Sequence, residues 1–148
     1  MIEVSRVTKT YDSPAGPVPV LRDLDLRVAA GESVAIVGPS GSGKTTLLNL
    51  IGNIDKPDAG RIVFDGSDVT SVPLHRLATR RRESLGFVFQ TFNLIPVLTA
   101  WENVELPMRF AGVAPEERET RARELLAAVG LEDKVSRKPE QMSGGEQQ

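Results

Sequence analysis

A glycine-rich run that ends in lysine and threonine, Gly38-Pro39-Ser40-Gly41-Ser42-Gly43-Lys44-Thr45, is the strongest constraint in this sequence. The residues before it, Ser33 to Val37, contain a short apolar run, Val34 to Val37, of the kind expected for a strand buried on both faces. The residues after it, Thr46 to Ile51, place leucines and an isoleucine at helical spacing. A strand, a loop and a helix in this order, with the spacing G-x-x-x-x-G-K-[ST], match the pattern of a phosphate-binding loop. We therefore expect an α/β fold.

The chemistry of phosphate binding explains the residue types in this run. Glycine permits backbone angles that a side chain would forbid, so main-chain N–H groups can approach phosphate oxygens. The first turn of the following helix adds unpaired N–H groups and the positive end of its dipole. Lys44 supplies a charge that can reach the β- and γ-phosphates, and the Thr45 hydroxyl can ligate a Mg²⁺ that bridges them. The predicted nucleotide site consists of Gly38, Pro39, Ser40, Gly41, Ser42, Gly43, Lys44, Thr45 and Thr46.

Composition limits the classes of protein that remain. The 148 residues suffice for one domain, and 18 basic against 20 acidic residues give a formal charge of −2, which offers no electrostatic footprint for nucleic acid. Without cysteine, disulfides and thiolate zinc sites are excluded, and the single histidine, His75, cannot form a histidine metal cluster. No secretory signal and no run of about 18 apolar residues is visible. We expect a cytoplasmic protein that binds no nucleic acid and meets any membrane through another subunit.

The other segments carry the patterns of strands and helices. Strands are predicted by alternation or short apolar runs, and helices by apolar spacing with proline or glycine near their ends. Pro107 is expected to kink or end the helix in which it lies. The last long helix, from Pro115 to Val129, should bury a stripe of four residues, Ala122, Leu125, Leu126 and Val129. The predicted strands cover residues 2–11, 24–28, 61–64 and 86–89, and the other two predicted helices begin at Pro73 and Leu98.

Three features each admit two interpretations. Arg80-Arg81-Arg82 is either a solvated helix face or helix end, or a docking contact for a partner. Asp65-Gly66 either forms a hairpin turn or ends a short apolar strand with an aspartate that binds Mg²⁺. Ser143-Gly144-Gly145 is either a serine N-cap without a ligand or a second helix start that binds an anion.

The order of these motifs resembles that of the ATP-binding subunit of ABC transporters, over the whole chain. Gly38 to Thr45 matches the Walker A loop, and Gln90 looks like the glutamine of the Q-loop. The last residues, Ser143-Gly144-Gly145-Glu146-Gln147, match the signature motif, and Tyr11 matches the aromatic residue that stacks on adenine. The segment from Arg80 to Val104 is most similar to the lipoprotein-release and macrolide-export branch of the family.

This resemblance implies an α/β fold with a P-loop (RecA-like) core and an antiparallel β part in residues 1–90, followed by a helical subdomain in residues 91–148. It implies an ATPase that uses ATP and Mg²⁺ to drive a membrane permease, on the cytoplasmic face of the cell membrane. Lys44 and Gln90 would be the catalytic residues, and Thr45 and Gln90 would hold Mg²⁺. Two subunits would close head to tail, so that one covers the other's nucleotide with Ser143, Gly144, Gly145, Glu146 and Gln147.

The sequence departs from the family pattern where it stops, at Gln148. These residues lack a Walker B strand with its aspartate, the glutamate that follows it and the switch histidine; His75 precedes Gln90 and cannot replace that histidine. We expect a fold that is incomplete at its C-terminus and a chain that does not hydrolyse ATP by itself. The alternatives are an ABC ATPase that moves no solute and an inactive remnant that only binds nucleotide. A GTPase or a small-molecule kinase is disfavoured, because the GTPase strings D-x-x-G and N-K-x-D are absent and the chain ends in a signature-like motif.

Overall fold

The computed structural model describes all 148 residues and divides them into two compact units, Met1–Leu85 and Gly86–Gln148. The first unit contains, in chain order, β1 (Ile2–Tyr11), β2 (Val18–Val28), α1 (Lys44–Ile51), β3 (Ala59–Phe64), β4 (Ser67–Asp68) and α2 (Leu74–Ser84). The second unit contains α3 (Ala100–Phe110), α4 (Pro115–Ala128), two short 3₁₀ helices (Glu132–Lys134 and Pro139–Gln141) and α5 (Gly144–Gln147). None of the helices combines the length and the apolar character that crossing a membrane requires.

An antiparallel sheet in the order β2-β1-β3-β4 is the framework of the first unit. Val4 and Val7 of β1 are 3% and 0% exposed, and they belong to one apolar core with Ile62 of β3. Helix α1 joins the same core through Leu47 and Leu50, which lie one helical turn apart on the same face. The helix that follows the glycine-rich loop is thereby fixed against the sheet.

The Asp65-Gly66 pair connects β3 to β4 in a two-residue hairpin. Val63 pairs with Asp68, and Phe64 pairs with Ser67. Asp65 and Gly66 have φ angles of 46° and 73°, and positive φ at both central residues is what a type I′ turn requires. The hairpin interpretation of Asp65 is therefore confirmed.

Two predicted strands are wrong. Residues 33–37 and 86–89 form no strand, and Val37 and Val88 are 87% and 88% exposed. An extended segment becomes a strand only when its N–H and C=O groups bond to a neighbouring strand. All strand pairs in the structure belong to the antiparallel sheet, and neither segment is a member of it.

The run of three arginines has a structural role that neither interpretation anticipated. The Arg80 Nη2 donates to the Phe64 carbonyl at 2.6 Å, and its guanidinium lies 5.2 Å from the centroid of the Phe64 ring. The Arg81 Nη1 donates to the Asn53 carbonyl at 2.8 Å. Arg80 and Arg81 are therefore half-buried rather than solvated, and they tie α2 to β3 and to the residues after α1. The predicted position at a helix end holds, because Arg81 and Arg82 lie in the last turn of α2, and Arg82 is exposed.

Helix α3 begins in a capping box. The Thr99 N–H donates to Glu102 Oε2 at 2.7 Å, and the Glu102 N–H donates to Thr99 Oγ1 at 3.2 Å. Pro107 lies inside the helix, which continues to Phe110. Glu105, which is 7% exposed, forms an ion pair with Arg118 of α4 and so joins the two helices.

Helix α4 buries fewer residues than the sequence predicts. Ala122 and Leu126 are 0% and 3% exposed, and Leu126 belongs to the apolar core of the second unit with Ala100. Leu125 and Val129 are 41% and 68% exposed, so the predicted stripe is wrong at these two positions. Residues at i and i+4 lie on one line along a helix, and in α4 only the Ala122–Leu126 line is covered by a neighbour.

Candidate functional site

The glycine-rich loop of residues 38–45 leads directly into α1, as the sequence predicts. Gly43 is the N-cap of this helix with a φ of 88°, and its carbonyl accepts the Leu47 N–H at 2.9 Å. Gly41 has a φ of 79°. Both angles lie in the left-handed region, which L residues with a side chain reach only at a cost of about 1–2 kcal/mol. The loop therefore needs glycine at both positions, and it ends at the unpaired N–H groups of a helix start.

The two glycines differ in what surrounds them. A Cβ added at Gly43 would lie 2.8 Å from Leu21 Cδ2 and 3.1 Å from the Val20 carbonyl oxygen of β2. A Cβ added at Gly41 would meet nothing within 4 Å. Gly43 is thus the point at which the loop packs against the sheet.

This difference predicts unequal effects of two alanine substitutions on stability. We expect Gly41→Ala to lower the free energy of unfolding by about 1 kcal/mol, because only the left-handed backbone is strained. We expect Gly43→Ala to lower it by about 2 kcal/mol or more, because overpacking against β2 adds to the same strain. Urea denaturation of the two variants side by side measures the difference; equal losses would show that the contact with β2 is unimportant.

Lys44 is folded back onto the loop. Its Nζ donates to the carbonyl oxygens of Gly38 at 2.9 Å and Pro39 at 2.7 Å, and it lies 3.4 Å from Ser42 Oγ. All three partners are neutral, so no carboxylate competes for this charge. An ammonium that is held in the loop by neutral acceptors fits the phosphate-binding role, because phosphate oxygens are stronger acceptors than carbonyls.

Thr45 is suited to ligate a Mg²⁺ that binds together with a nucleotide. It is exposed in the first turn of α1, beside Lys44. The chain has no group of three or more His, Cys, Asp or Glu residues that could hold a metal ion. Because Mg²⁺ takes oxygen ligands and keeps several waters, one hydroxyl together with phosphate oxygens is a suitable donor set.

Tyr11, at the end of β1, lies beside the first turn of α1. Its ring is 38% exposed, and its hydroxyl donates to Asp55 Oδ2 at 2.8 Å. Burial raises the pKa of Tyr11, the Asp55 carboxylate raises it further, and the nearby Thr46 hydroxyl lowers it. The structure thus brings Tyr11 and Thr46 of α1 together, although 34 other residues separate them in the sequence.

Gln90 and the signature residues lie in the second unit. Gln90 is exposed. Ser143 is the N-cap of α5, where Glu146 accepts the Ser143 N–H at 2.8 Å and pairs with Lys134. The ammonium of Lys134, followed by the Ser143 N–H, lowers the pKa of Glu146 to about 2.

The remaining signature residues differ in how tightly they are held. Gln147 Nε2 donates to the carbonyl oxygens of Pro139 at 2.8 Å and Met142 at 3.0 Å. Gly144 and Gly145 are exposed, and a Cβ at either would meet nothing within 4 Å. The glycines therefore leave open surface at the start of α5.

Sequence reasoning missed two residues next to Tyr11. Lys9 is 8% exposed, and its Nζ donates to Asp55 Oδ1 at 3.0 Å. A signal for Lys9 was available, because alternation along β1 places it on the same face as the buried Val7. No local signal marks Asp55, which lies 46 residues from Lys9.

The loop, the helix behind it and the antiparallel sheet define a P-loop nucleotide-binding cassette. The family model for the ABC transporter matches residues 21–148. The chain therefore belongs to the ABC transporter family.

Named relatives agree with this assignment. The chain is 49% identical over 148 residues to the macrolide export ATP-binding/permease protein MacB of Marinobacter nauticus and spans 23% of it. It is equally 49% identical to an uncharacterized ABC transporter ATP-binding protein of Thermotoga maritima and spans 63% of it. A dimeric post-hydrolysis structure of the ATP-binding cassette MJ0796, bound to ADP and Pi, superposes with a TM-score of 0.91 at 45% identity, over 99% of this chain and 65% of that one. The predicted family, the likeness to the macrolide-export branch and the cassette fold are thereby confirmed.

Proposed function

We propose that residues 1–148 are the nucleotide-binding part of an ABC transporter subunit, which binds ATP with Mg²⁺ and passes the effect of binding and hydrolysis to a permease. One observation supports this most: Lys44 is bonded to the loop carbonyls of Gly38 and Pro39, next to the exposed Thr45 at the start of α1. Such an arrangement offers a positive charge, N–H groups and a hydroxyl to one anion.

Each group in the first unit has a separate role in this proposal. Lys44 exchanges two neutral carbonyl acceptors for the β- and γ-phosphate oxygens, which form stronger, charge-assisted hydrogen bonds. The loop N–H groups hold the phosphates, and the exposed ring of Tyr11 stacks on the base. Thr45 holds the Mg²⁺, which when bound neutralises charge between the β- and γ-phosphates.

In this proposal the last residues of the chain meet a second subunit. We assign residues 1–90 to the core and its β part and residues 91–148 to a helical subdomain, with Gln90 as a Mg²⁺ ligand and catalytic residue. Ser143, Gly144 and Gly145 would contact the nucleotide held by a second subunit. The dimeric state of the ADP-bound cassette relative supports this arrangement.

The transport role comes from the relatives. The Marinobacter nauticus protein is an ATP-binding/permease protein, so a cassette and a permease share one chain there. We propose that this chain serves a permease in the same way, at the cytoplasmic face of the membrane.

The test measures whether ATP drives two copies of the chain together. In analytical ultracentrifugation, Mg-ATP should shift the chain from monomer to dimer. Gly145→Asp should weaken this dimer by about 10-fold or more, because a carboxylate would face the partner's γ-phosphate. Its affinity for ATP in the monomer should not change, since the added side chain would start in open space and meet no other part of the chain.

Ala114→Asp is the matched control, because it adds the same charge at the exposed start of another helix, α4. It should dimerise like the unmodified chain. A dimer that forms equally well with Gly145→Asp would contradict the role of the signature residues. Phosphate release in the same samples measures whether the chain hydrolyses ATP by itself, which we expect it not to do.

A further inference from the structure

Tyr11, whose ring we propose to stack on the base, is held in place. Its hydroxyl donates to Asp55 Oδ2 at 2.8 Å, across 44 residues of sequence. Because the phenolic oxygen lies at the far end of the side chain, a bond there restricts χ1; it does not restrict χ2, since this oxygen lies on the axis about which the ring rotates. The ring therefore has one preferred position before any ligand binds.

Asp55 is itself held by two donors. Its Oδ1 accepts from Lys9 Nζ at 3.0 Å and from the Lys56 N–H at 2.7 Å. Lys9 also donates to the Lys56 carbonyl at 2.7 Å. Burial disfavours the charged form of Asp55, but hydrogen bonds from Tyr11 and Lys9 outweigh burial and lower the pKa of this carboxyl. The acceptor of the Tyr11 hydroxyl is therefore a fixed carboxylate at neutral pH.

Lys9 also contacts the ring directly. Its Nζ lies 5.0 Å from the centroid of the Tyr11 ring, within the range of a cation–π interaction. The Asp55 carboxylate thus holds the hydroxyl end of the ring in place, and the Lys9 ammonium, which lies over the ring, disfavours rotation about χ2. With 38% of Tyr11 still exposed, surface remains for a base.

We propose that Asp55, anchored by Lys9, is a positioning residue for the nucleotide base, because it presets the orientation of Tyr11. This inference rests on the proposed function of the loop and of Tyr11. A side chain that is ordered in advance loses less freedom when a ligand immobilises it, so the ligand binds more tightly. Only ligands that carry a base should benefit, because Asp55 acts through the ring and not on the phosphates.

The test compares the dissociation constants for ATP and for inorganic tripolyphosphate, measured by calorimetry on the 148-residue chain. In Asp55→Ala we expect the constant for ATP to rise about 3- to 10-fold and that for tripolyphosphate to stay within about twofold. Tyr11→Phe, which keeps the ring and removes only the hydroxyl, should show the same selective loss. The double variant, Asp55→Ala with Tyr11→Phe, should lose no more ATP affinity than either single variant, since both substitutions remove the same hydrogen bond. Tyr11→Phe leaves Asp55 and Lys9 paired and keeps the test decisive even if Asp55→Ala fails to fold.

Asp58→Asn is the matched control. The Asp58 Oδ1 lies 3.8 Å from the same Lys9 Nζ, but this carboxylate does not accept the Tyr11 hydroxyl. Its Oδ2 accepts the Thr10 N–H at 2.6 Å, and the amide oxygen of asparagine can keep that bond while the charge is removed. The ATP affinity of this variant should equal that of the unmodified chain. A second readout is the ultraviolet absorbance of the phenolate, because Tyr11 is the only tyrosine. After burial, Asp55 is the main cause of the raised pKa of Tyr11, so Asp55→Ala should lower this pKa and Asp58→Asn should not.

Two results would overturn the positioning role while leaving the nucleotide site intact: unchanged ATP affinity in Asp55→Ala and Tyr11→Phe, or equal losses for ATP and tripolyphosphate. A failure of the proposed function looks different. In that case the unmodified chain would bind neither ligand, or Lys44→Ala would bind both as tightly as the unmodified chain.

Discussion

Alanine in place of Lys44 is expected to raise the dissociation constant for ATP by about 100-fold or more, because two charge-assisted hydrogen bonds to phosphate are lost at roughly 1.5–3 kcal/mol each. In the structure this ammonium bonds only to its own loop, at 2.9 Å from the Gly38 carbonyl and 2.7 Å from the Pro39 carbonyl. No distant part of the fold depends on it. The free energy of unfolding should therefore change by less than about 1 kcal/mol, and calorimetry with Mg-ATP beside urea denaturation separates the two quantities.

Two further variants show which property of Lys44 matters. Arg22→Ala removes the same charge from an exposed position in β2 and should leave ATP affinity unchanged. Lys44→Arg keeps the positive charge but places it on a planar guanidinium, which does not reproduce the compact ammonium. We therefore expect an ATP affinity between those of the unmodified chain and Lys44→Ala. Binding of ATP by Lys44→Ala within about threefold of the unmodified chain would show that the loop does not use this residue.

The turn from the glycine loop into α1 could be predicted from the sequence because its causes are local. Positive φ at Gly41 and Gly43 is a property of single residues, and the apolar spacing of Leu47 and Leu50 selects the buried face of the helix. The hairpin at Asp65-Gly66 has the same local cause.

The strands predicted at residues 33–37 and 86–89 failed for a different reason. Apolar runs describe the side chains that a strand would bury, whereas a strand also needs a hydrogen-bonding neighbour. No neighbour pairs with these residues, and Phe87 and Phe89 stack on each other at 5.6 Å between ring centroids while remaining about 40% exposed. The apolar runs in these two segments do not say which strand, if any, would pair with them.

The pairing of Lys9 with Asp55 behind Tyr11 was also out of reach of sequence reasoning. Asp55 and Lys9 contact each other only because the residues after α1 return to the end of β1, where the Asp58 N–H donates to the Thr8 carbonyl at 2.9 Å. Arg80 and Arg81 are similar, since their carbonyl acceptors lie 16 and 28 residues away. A charged residue in a sequence predicts an exposed side chain on average. Whether a particular charged side chain is buried instead depends on tertiary contacts.

Alanine in place of Gly60 is expected to have the largest effect on stability in the first unit. A Cβ at this position would lie 2.3 Å from the Arg6 carbonyl oxygen and 2.7 Å from the Ser5 carbonyl oxygen. These are backbone atoms of β1, where the pairing register with β3 shifts between Ser5 and Thr8 and Arg6 has a φ of 47°. The glycine thus lets β3 approach an irregularity in β1 that a side chain would push away. We expect the free energy of unfolding to fall by about 3 kcal/mol or more.

Gly66→Ala is the matched comparison, because Gly66 also has a positive φ, of 73°, but open space around its Cβ position. Gly66→Ala should lower the free energy of unfolding by only about 1 kcal/mol, because only the left-handed backbone is strained. Urea denaturation of both variants therefore isolates the effect of close packing at Gly60. Equal losses would mean that β1 moves aside at little cost. In that event the movement of β1 would also displace Lys9 and Tyr11, which follow the irregularity in this strand. The Gly60→Ala chain would then bind ATP more weakly than the Gly66→Ala chain, even though the two are equally stable.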